Sequence, residues 1–161
     1  MEEYIMTIDE GTTSARAVLF NKDSEIIAIC AKEFAQYYPQ PGWVEQDPKE
    51  IWLTTKEVIN RVVLQAGIDP RQIKAAGITN QRETVVVYDK NTGEPVYNAI
   101  GWADRRTAPY CDELKAAGKE QMFIDKTGLL IDGYFSGTEI KWILDNVPGA
   151  REKAEAGDLY F

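Results

Sequence analysis

The sequence predicts an α/β protein with a mixed sheet, because strand-like and helix-like patterns alternate along it. In the first third, apolar segments at residues 4–8, 15–20 and 25–31 are separated by polar turns, which is typical of an antiparallel β-meander. A helical pattern and then a further apolar strand at residues 73–79 follow. No internal repeat or low-complexity segment interrupts this order.

The helical pattern begins with clear start signals. Asp47 can cap the helix, Pro48 occupies the first helical position, and Glu50 stands three residues after the cap. Gly67 supplies the end of the helix. Residues at helical spacing are expected to pack in the core: Ile51, Trp52, Thr55, Val58, Ile59, Val62 and Val63.

Beyond residue 80 the predicted elements are shorter. Residues 85–88 and 96–100 flank a turn and predict a second pair of strands. Thr107 is placed to cap a helix, and Ser-Gly-Thr-Glu at residues 136–139 has the form of a capping box before another helix. A short charged helix that ends near Gly157 follows.

Composition argues against several classes of function. The formal net charge is −8, from 18 basic and 26 acidic side chains, so we expect no nucleic-acid partner. No apolar run approaches the length of a membrane-spanning helix and no secretory signal is seen, so we expect no membrane association. Cys30 and Cys111 lie far apart and outside any metal-binding spacing, which favours buried thiols in a cytoplasmic protein. Histidine is absent, so any chemistry uses carboxylates, cations, hydroxyls or backbone amides.

A first candidate site is the segment that runs from Asp9 to Arg16. Between a carboxylate at the end of one strand and a cation in the next stand a glycine and three hydroxyl residues, Thr12, Thr13 and Ser14. Amides and hydroxyls in such a hairpin can hold phosphate oxygens, and Asp9 can hold hydrated Mg²⁺. The alternative is an ordinary turn with polar residues, and the P-loop pattern is absent.

A second candidate site follows the strand at residues 73–79. Arg82 offers only hydrogen-bond donors and ionised Glu83 only acceptors, so together they suit vicinal hydroxyls. This arrangement requires that the chain has left the strand, since neighbours on a strand point to opposite faces. Taken alone, the pattern favours an exposed ion pair in a turn.

Aromatic residues and an arginine pair complete the candidates. The faces of Trp102 and Tyr134 can cover the carbon side of a small polyol, although most aromatics in a domain of this size belong to the core. Arg105 and Arg106 are interpreted as a solvated or helix-orienting pair rather than as ligands.

Taken together, these segments resemble the FGGY family of carbohydrate kinases, and within it the branch that phosphorylates glycerol. The matching stretches cover the chain in order: residues 9–16, 37–45, 77–84, 97–100, 104–107, 126–129, 134–138, 142–145 and 148–157. The resemblance implies a ribonuclease-H-like, actin-type ATPase fold in two domains, with ATP, Mg²⁺ and glycerol bound between them. Residues 1–161 would form the N-terminal part of the FGGY N-terminal domain, without the C-terminal domain.

The resemblance also implies residue roles. Thr12, Thr13, Ser14 and Arg16 would contact the nucleotide phosphates, and Asp9 would lie near Mg²⁺. Glycerol would be held by Arg82, Glu83, Trp102 and Tyr134. The catalytic base, an aspartate, would lie beyond Phe161, so we expect this chain to be inactive alone and the complete protein to be a homo-oligomer.

Some positions depart from the family's usual pattern, and two alternatives stay open. The departures are Glu10, Gln46, Gly101, Ala103, Gly133 and Glu139. Glu10 adds negative charge beside the phosphate hairpin and brings phosphate binding into question. The alternatives are a kinase for another polyol or sugar, and a non-catalytic module that binds a polyol or a partner. The apolar end at residues 158–161 argues against the module and leads us to expect a longer protein.

Overall fold

The computed structural model describes residues 2–161 and divides them between two units. Unit 1 comprises residues 2–36 and Asp47–Gln81, and unit 2 comprises Tyr37–Gln46 and Arg82–Phe161. The strands are β1 (Tyr4–Glu10), β2 (Ser14–Phe20), β3 (Ile26–Glu33), β4 (Glu45–Gln46), β5 (Ile73–Thr79), β6 (Tyr88–Asp89), β7 (Ala99–Ile100) and β8 (Leu159–Tyr160). The helices are α1 (Pro48–Ala66), α2 (Ala108–Ala116), α3 (Glu120–Thr127), α4 (Ser136–Asn146) and α5 (Ala150–Glu155), with a 3₁₀ turn at Pro70–Gln72.

Unit 1 is built on a four-stranded mixed sheet. Its strand order is β3-β2-β1-β5, in which β1, β2 and β3 form the predicted antiparallel meander and β5 runs parallel to β1. The register places Asp9 opposite Arg16 and Glu10 opposite Ala15. Because side chains alternate between the faces of a strand, these two pairs lie on opposite faces of the sheet.

Helix α1 begins and ends where the sequence predicts. The Asp47 carboxylate accepts a hydrogen bond from a backbone N–H of the first turn at 2.8 Å, and Gly67 ends the helix in the left-handed conformation with φ 64°. Glu50 does not complete a capping box. Its carboxylate accepts from the N–H of Ala35 at 3.1 Å and so ties α1 to the segment after β3.

The buried face of α1 matches most of the predicted stripe. Val58 and Val62 are fully buried against the sheet, together with Thr55, while Ile59 packs at the margin of this core. Trp52 is 60% exposed, so its assignment to the core is wrong. It lies to the side of the stripe, where the ammonium group of a lysine one turn later contacts its ring.

Unit 2 contains short strand pairs and four helices. Strand β4 pairs with β7 and β6 pairs with β8, both antiparallel. The strands predicted at residues 85–88 and 96–100 form only partly, with isolated bridges beside β6 and β7. A second hydrophobic core lies here, formed by Val85, Val87, Ile100, Ile143 and Ala150.

The helix starts of unit 2 differ from the prediction. Thr107 stands at the cap position of α2, but its hydroxyl accepts from the hydroxyl of Thr138 at 3.0 Å and makes no cap bond. The capping box predicted at residues 136–139 is wrong, because Phe135 occupies the cap position of α4 and Ser136 is already helical. Glu139 is instead fully buried.

Two further predictions concern the cysteines and the membrane. Cys30 and Cys111 are free and buried, as predicted. Within residues 2–161, no helix combines the length and apolar character that crossing a bilayer requires.

Candidate functional site

The β1–β2 turn of unit 1 carries the predicted phosphate hairpin. The N–H of Gly11 donates to the carbonyl of Ser14 at 3.0 Å, which closes a turn over Thr12 and Thr13. A β carbon on Gly11 would lie 3.0 Å from that same carbonyl oxygen, a crowded contact, so the turn favours glycine. The result is a hairpin tip that exposes the Thr13 side chain.

Asp9 and Arg16 lie side by side next to this turn. They are opposite each other in the β1–β2 register, with 3.9 Å between the Asp9 Oδ2 and an Arg16 guanidinium nitrogen. About half of each side chain is exposed. A carboxylate and a cation are therefore accessible on the same face of the sheet, which suits a hydrated cation and an anionic ligand respectively.

Glu10 points to the other face, towards α1. One carboxylate oxygen accepts from the Thr55 hydroxyl at 2.6 Å, and the other is buried without a hydrogen-bond partner among the described residues. The negative charge that brings phosphate binding into question thus lies across the sheet from Asp9 and Arg16.

In unit 2, Arg82 and Glu83 meet the condition set for a hydroxyl-binding pair. Strand β5 ends at Thr79, and residues 82–83 form a turn in which Glu83 adopts a left-handed backbone with φ 68°. Among the described residues of this unit, neither side chain has a hydrogen-bond or ion-pair partner, so the exposed ion pair is not formed. A donor group and an acceptor group are therefore both available.

Trp102 and Tyr134 are brought together in the same unit. Their ring centroids lie 5.9 Å apart at 64°, and Tyr134 packs edge-on against Phe135 at 5.1 Å. Trp102 is 39% exposed, so it is not a core residue. The pair presents aromatic surface of the kind that covers the carbon side of a polyol.

Polar bonds link the segments that carry these four residues. The N–H of Trp102 donates to the Thr84 hydroxyl at 3.3 Å, and the Ser136 hydroxyl donates to the Glu83 carbonyl at 2.7 Å. An ion pair between Arg105 and Asp132, at 2.7 Å, connects the Trp102 segment with the segment before Tyr134. Sequence reasoning missed these contacts, because each joins residues far apart in the chain.

Arg106 departs most from its prediction. Its side chain is fully buried, with its guanidinium centre 3.8 Å from the Trp43 ring and 4.6 Å from the Trp142 ring. It also forms salt bridges of 2.8 Å with both Asp104 and Glu45. The interpretation as a solvated pair is therefore wrong for Arg106 and holds only for the exposed Arg105.

The buried cluster around Arg106 fixes the turn that presents Trp102. Asp104 accepts from the N–H of Val44 at 2.7 Å, and Val44 accepts from the N–H of Gly101 at 2.9 Å. A β carbon on Gly101 would lie 3.4 Å from the Val44 side chain, which is an ordinary van der Waals contact. Glu45 lies in one of the stretches that match the family, residues 37–45. That match did not indicate that Glu45 is buried.

Glu139 lies beside this cluster without a hydrogen bond to it. Both of its carboxylate oxygens are buried and lack hydrogen-bond partners among the described residues. Burial, followed by the negative charge of Asp104, raises the pKa of Glu139 to about 9. The group is therefore a neutral carboxylic acid at pH 7.

A cavity of about 370 Å³ in unit 2 is separate from these candidates. It is bordered by α2, α3 and α4, and most of its lining is apolar. None of Arg82, Glu83, Trp102 and Tyr134 lines it, so the candidate polyol site is a surface of loops rather than this cavity.

Comparisons with known proteins place the chain in a family. The model for the FGGY family of carbohydrate kinases, N-terminal domain, matches residues 4–160. Glycerol kinases of Carboxydothermus hydrogenoformans and Chromobacterium violaceum are 61% and 59% identical over 160 residues, which is 99% of this chain and 32% of each relative. The crystal structure of Plasmodium falciparum glycerol kinase with ADP matches with a TM-score of 0.90 and 31% identity, over 98% of this chain and 32% of that chain. A gluconate kinase structure from Lactobacillus acidophilus matches with a TM-score of 0.82 and 25% identity, over 91% of this chain and 29% of that chain.

These likenesses confirm the predicted ribonuclease-H-like, actin-type ATPase fold with its mixed sheet. The chain spans 32% of the length of the curated relatives that it matches. Over nearly all of its residues, the chain belongs to the FGGY family of carbohydrate kinases.

Proposed function

We propose that the protein is an ATP-dependent kinase that phosphorylates glycerol to sn-glycerol 3-phosphate. The observation that carries this proposal is the unpaired donor and acceptor, Arg82 and Glu83, in the same unit as the packed rings of Trp102 and Tyr134. Glycerol needs this combination, because its hydroxyls require donors and acceptors while its carbon edge is covered by aromatic surface. Glycerol kinase relatives about 60% identical support the choice of glycerol.

The phosphate hairpin of unit 1 is proposed to bind the ATP phosphates. Thr12, Thr13, Ser14 and Arg16 would hold phosphate oxygens by hydroxyl, amide and guanidinium hydrogen bonds. The absence of a side chain on Gly11, in a turn where a β carbon would be crowded, supports a close approach of the backbone to phosphate. The Glu10 carboxylate lies on the opposite face of the sheet, bonded to Thr55, so its negative charge does not face the proposed phosphate site.

Asp9 is the residue proposed to hold Mg²⁺. Its half-exposed carboxylate at the end of β1 fits a hydrated ion that keeps most of its waters. When bound with ATP, Mg²⁺ would neutralise charge on the transferred phosphoryl group.

The described residues would act by binding and orientation. Phosphoryl transfer depends mainly on positioning and on stabilising the developing negative charge. We assign the general base and the nucleoside pocket to parts of the gene product outside these 161 residues, since the chain spans 32% of the length of its glycerol kinase relatives. The 161-residue chain alone is then expected to show no turnover.

A coupled ADP-release assay on the complete gene product tests the proposal. Glycerol, xylulose, gluconate and a panel of other polyols are offered in turn, with the 161-residue chain assayed in parallel. Turnover with glycerol and none from the 161-residue chain is the expected result. Preferred turnover of xylulose or gluconate would support the alternative, a kinase for another sugar. The chain is also similar to gluconate and xylulose kinase structures, which is why these two substrates are included.

Replacing Arg82 by alanine tests the site directly. The change removes the guanidinium donors that would bind glycerol hydroxyls, so kcat/KM for glycerol should fall by about tenfold to a hundredfold. Arg71→Ala is the matched control, because Arg71 is an exposed arginine of the 3₁₀ turn whose side chain pairs with Asp69. Unchanged kinetics in Arg82→Ala would exclude Arg82 from the glycerol site.

A further inference from the structure

We propose that Ser136 is a positioning residue for the polyol site, which fixes the turn at Glu83 through its side-chain hydroxyl. This inference rests on the proposed function, since it takes Glu83 as a ligand of glycerol. It concerns how the acceptor group is aimed, and it assigns a role to a residue that the sequence analysis predicted to belong to a capping box.

The backbone of Glu83 needs an external contact to keep its conformation. A residue with a β carbon is disfavoured in the left-handed region, where Glu83 lies with φ 68°. Among the described residues, one other non-glycine residue has a positive φ, Ser24 in the exposed turn between β2 and β3. A local backbone bond from the Ser24 N–H to Asn21 closes that turn, whereas the carbonyl of Glu83 is held by a residue 53 positions away.

Ser136 is placed to supply that contact. It is the first residue of α4, a position at which serine often bonds its own helix. Here no side chain caps α4, and the Ser136 hydroxyl donates instead to the Glu83 carbonyl at 2.7 Å. The bond to Glu83 is therefore made in place of a local helix bond.

The bond also sets the spacing between Glu83 and Tyr134. Tyr134 lies two residues before Ser136, and its N–H is held by the Asp132 carboxylate at 2.9 Å. Immediately after Glu83, the hydroxyl of Thr84 accepts from the N–H of Trp102 at 3.3 Å. Ser136 thus joins the Tyr134 segment to the turn that carries the acceptor.

The Glu83 carboxylate depends on this backbone contact for its direction. The side chain has no hydrogen-bond or ion-pair partner among the described residues of unit 2, so no second contact aims it. When the Ser136 bond is lost, the turn can relax from the left-handed conformation and the carboxylate moves with it. Binding of the polyol should weaken, while binding of the nucleotide should not.

The test compares Ser136→Ala and Ser136→Thr in the complete gene product by steady-state kinetics. Ser136→Ala should raise the KM for glycerol about fivefold to thirtyfold, as expected for the loss of one hydrogen bond, with the KM for ATP unchanged. Ser136→Thr keeps the hydroxyl and should restore the KM for glycerol to within about threefold of the wild-type value. A purely structural role would not produce this separation between glycerol and ATP.

Thr127→Ala is the matched control. The Thr127 hydroxyl also donates to a backbone carbonyl at 2.7 Å, but within its own helix, α3, and to Phe123. The KM for glycerol should stay at the wild-type value in this variant. If Ser136→Ala fails to fold, Ser136→Cys is measured in its place. Cysteine is similar in size and a weaker donor, so the KM for glycerol should rise by less than the factor expected for Ser136→Ala.

The outcomes separate this inference from the proposed function. An active wild type with an unchanged glycerol KM in Ser136→Ala overturns the role of Ser136 and leaves the proposed function standing. A rise in both KM values by the same factor also overturns it, since the effect is then general. A wild type that does not phosphorylate glycerol overturns the proposed function, and the role of Ser136 falls with it.

Discussion

Unit 1 and unit 2 are stabilised by different kinds of buried contact. In unit 1, the sheet and α1 bury a hydrophobic core, and the buried polar residues are only Thr54 and Thr55 among those described. In unit 2, every buried charged residue of the described chain is found: Glu45, Asp89, Asp104, Arg106 and Glu139. A four-stranded sheet and one long helix dominate the first unit, and the second combines four shorter helices with loops and two-residue strands.

This difference indicates how each unit holds its candidate residues. Hydrophobic burial is non-directional, so in unit 1 it is the strand register that places Asp9 opposite Arg16. In unit 2, the turn before Asp104 lies outside any strand or helix. Directional side-chain hydrogen bonds and ion pairs hold it in place of the backbone hydrogen bonds between strands. Loops that carry a ligand site need such contacts when no regular element supports them.

The largest expected effect comes from breaking the buried ion cluster at Arg106. Arg106→Met keeps much of the side-chain volume but leaves Glu45 and Asp104 buried without their cation. Hydrogen bonds from Tyr97, Asn98 and Arg106 outweigh the effect of burial and lower the pKa of Glu45, which shows that the network favours its ionised form. The free energy of unfolding should fall by about 3–5 kcal/mol, measured by urea denaturation with circular dichroism.

Arg105→Met is the control for this change. The neighbouring Arg105 pairs with Asp132 at 2.7 Å, but about half of both side chains is exposed. Exposed ion pairs contribute about 0–1 kcal/mol, so this variant should unfold at nearly the wild-type urea concentration. Equal losses in the two variants would mean that burial of the Arg106 cluster is not what distinguishes unit 2.

A smaller effect is expected from Glu139, and it depends on pH. The carboxyl has an ordinary pKa of 4.5, and in the folded protein its burial raises the pKa to about 9. Between these values the folded protein holds a proton that the unfolded chain has lost, so stability falls as pH rises through this window. Glu139→Gln removes the titration, and between pH 5 and pH 8 the wild type should lose about 1–3 kcal/mol relative to the variant.

Urea denaturation across this pH range measures the difference between the two proteins. The charges that act on Glu139 are those of Asp104, Arg106 and Glu83, and they are the same in both. Glu113→Gln, the same change at an exposed position of α2, should leave the pH dependence unaltered. Parallel pH curves for wild type and Glu139→Gln would show that Glu139 is not held neutral in the folded protein.

The sequence predicted the parts of the fold that depend on local patterns. The β-meander, the bounds of α1 and the turn at Gly11 follow from alternation, capping residues and glycine, which act within a few positions. Ser136 shows where this fails. Its sequence context is that of a capping box, but its partner is Glu83, 53 residues away, and tertiary contact overrides the local preference.

The same reasoning applies to the candidate site. The candidate site requires that Arg82 and Glu83 lie outside the strand, and they do, because β5 ends at Thr79. The proximity of Trp102 and Tyr134 depends on links between distant segments, which no periodicity encodes. The ligands of these residues stay predictions that the kinetic variants test.

The smallest predicted effect belongs to the cap of α1, the feature that sequence specified most directly in unit 1. Asp47→Ala removes the acceptor that bonds the first turn at 2.8 Å, so the free energy of unfolding should fall by about 1 kcal/mol in urea denaturation. Asp112→Ala is the same change on the exposed face of α2, and it removes a 3.9 Å ion pair with Lys115. Its free energy of unfolding should fall by less than that of Asp47→Ala, since alanine is the better helix former. A cap loss as large as that of Arg106→Met would contradict the contrast between the units, because one local bond would then matter as much as a buried ion cluster.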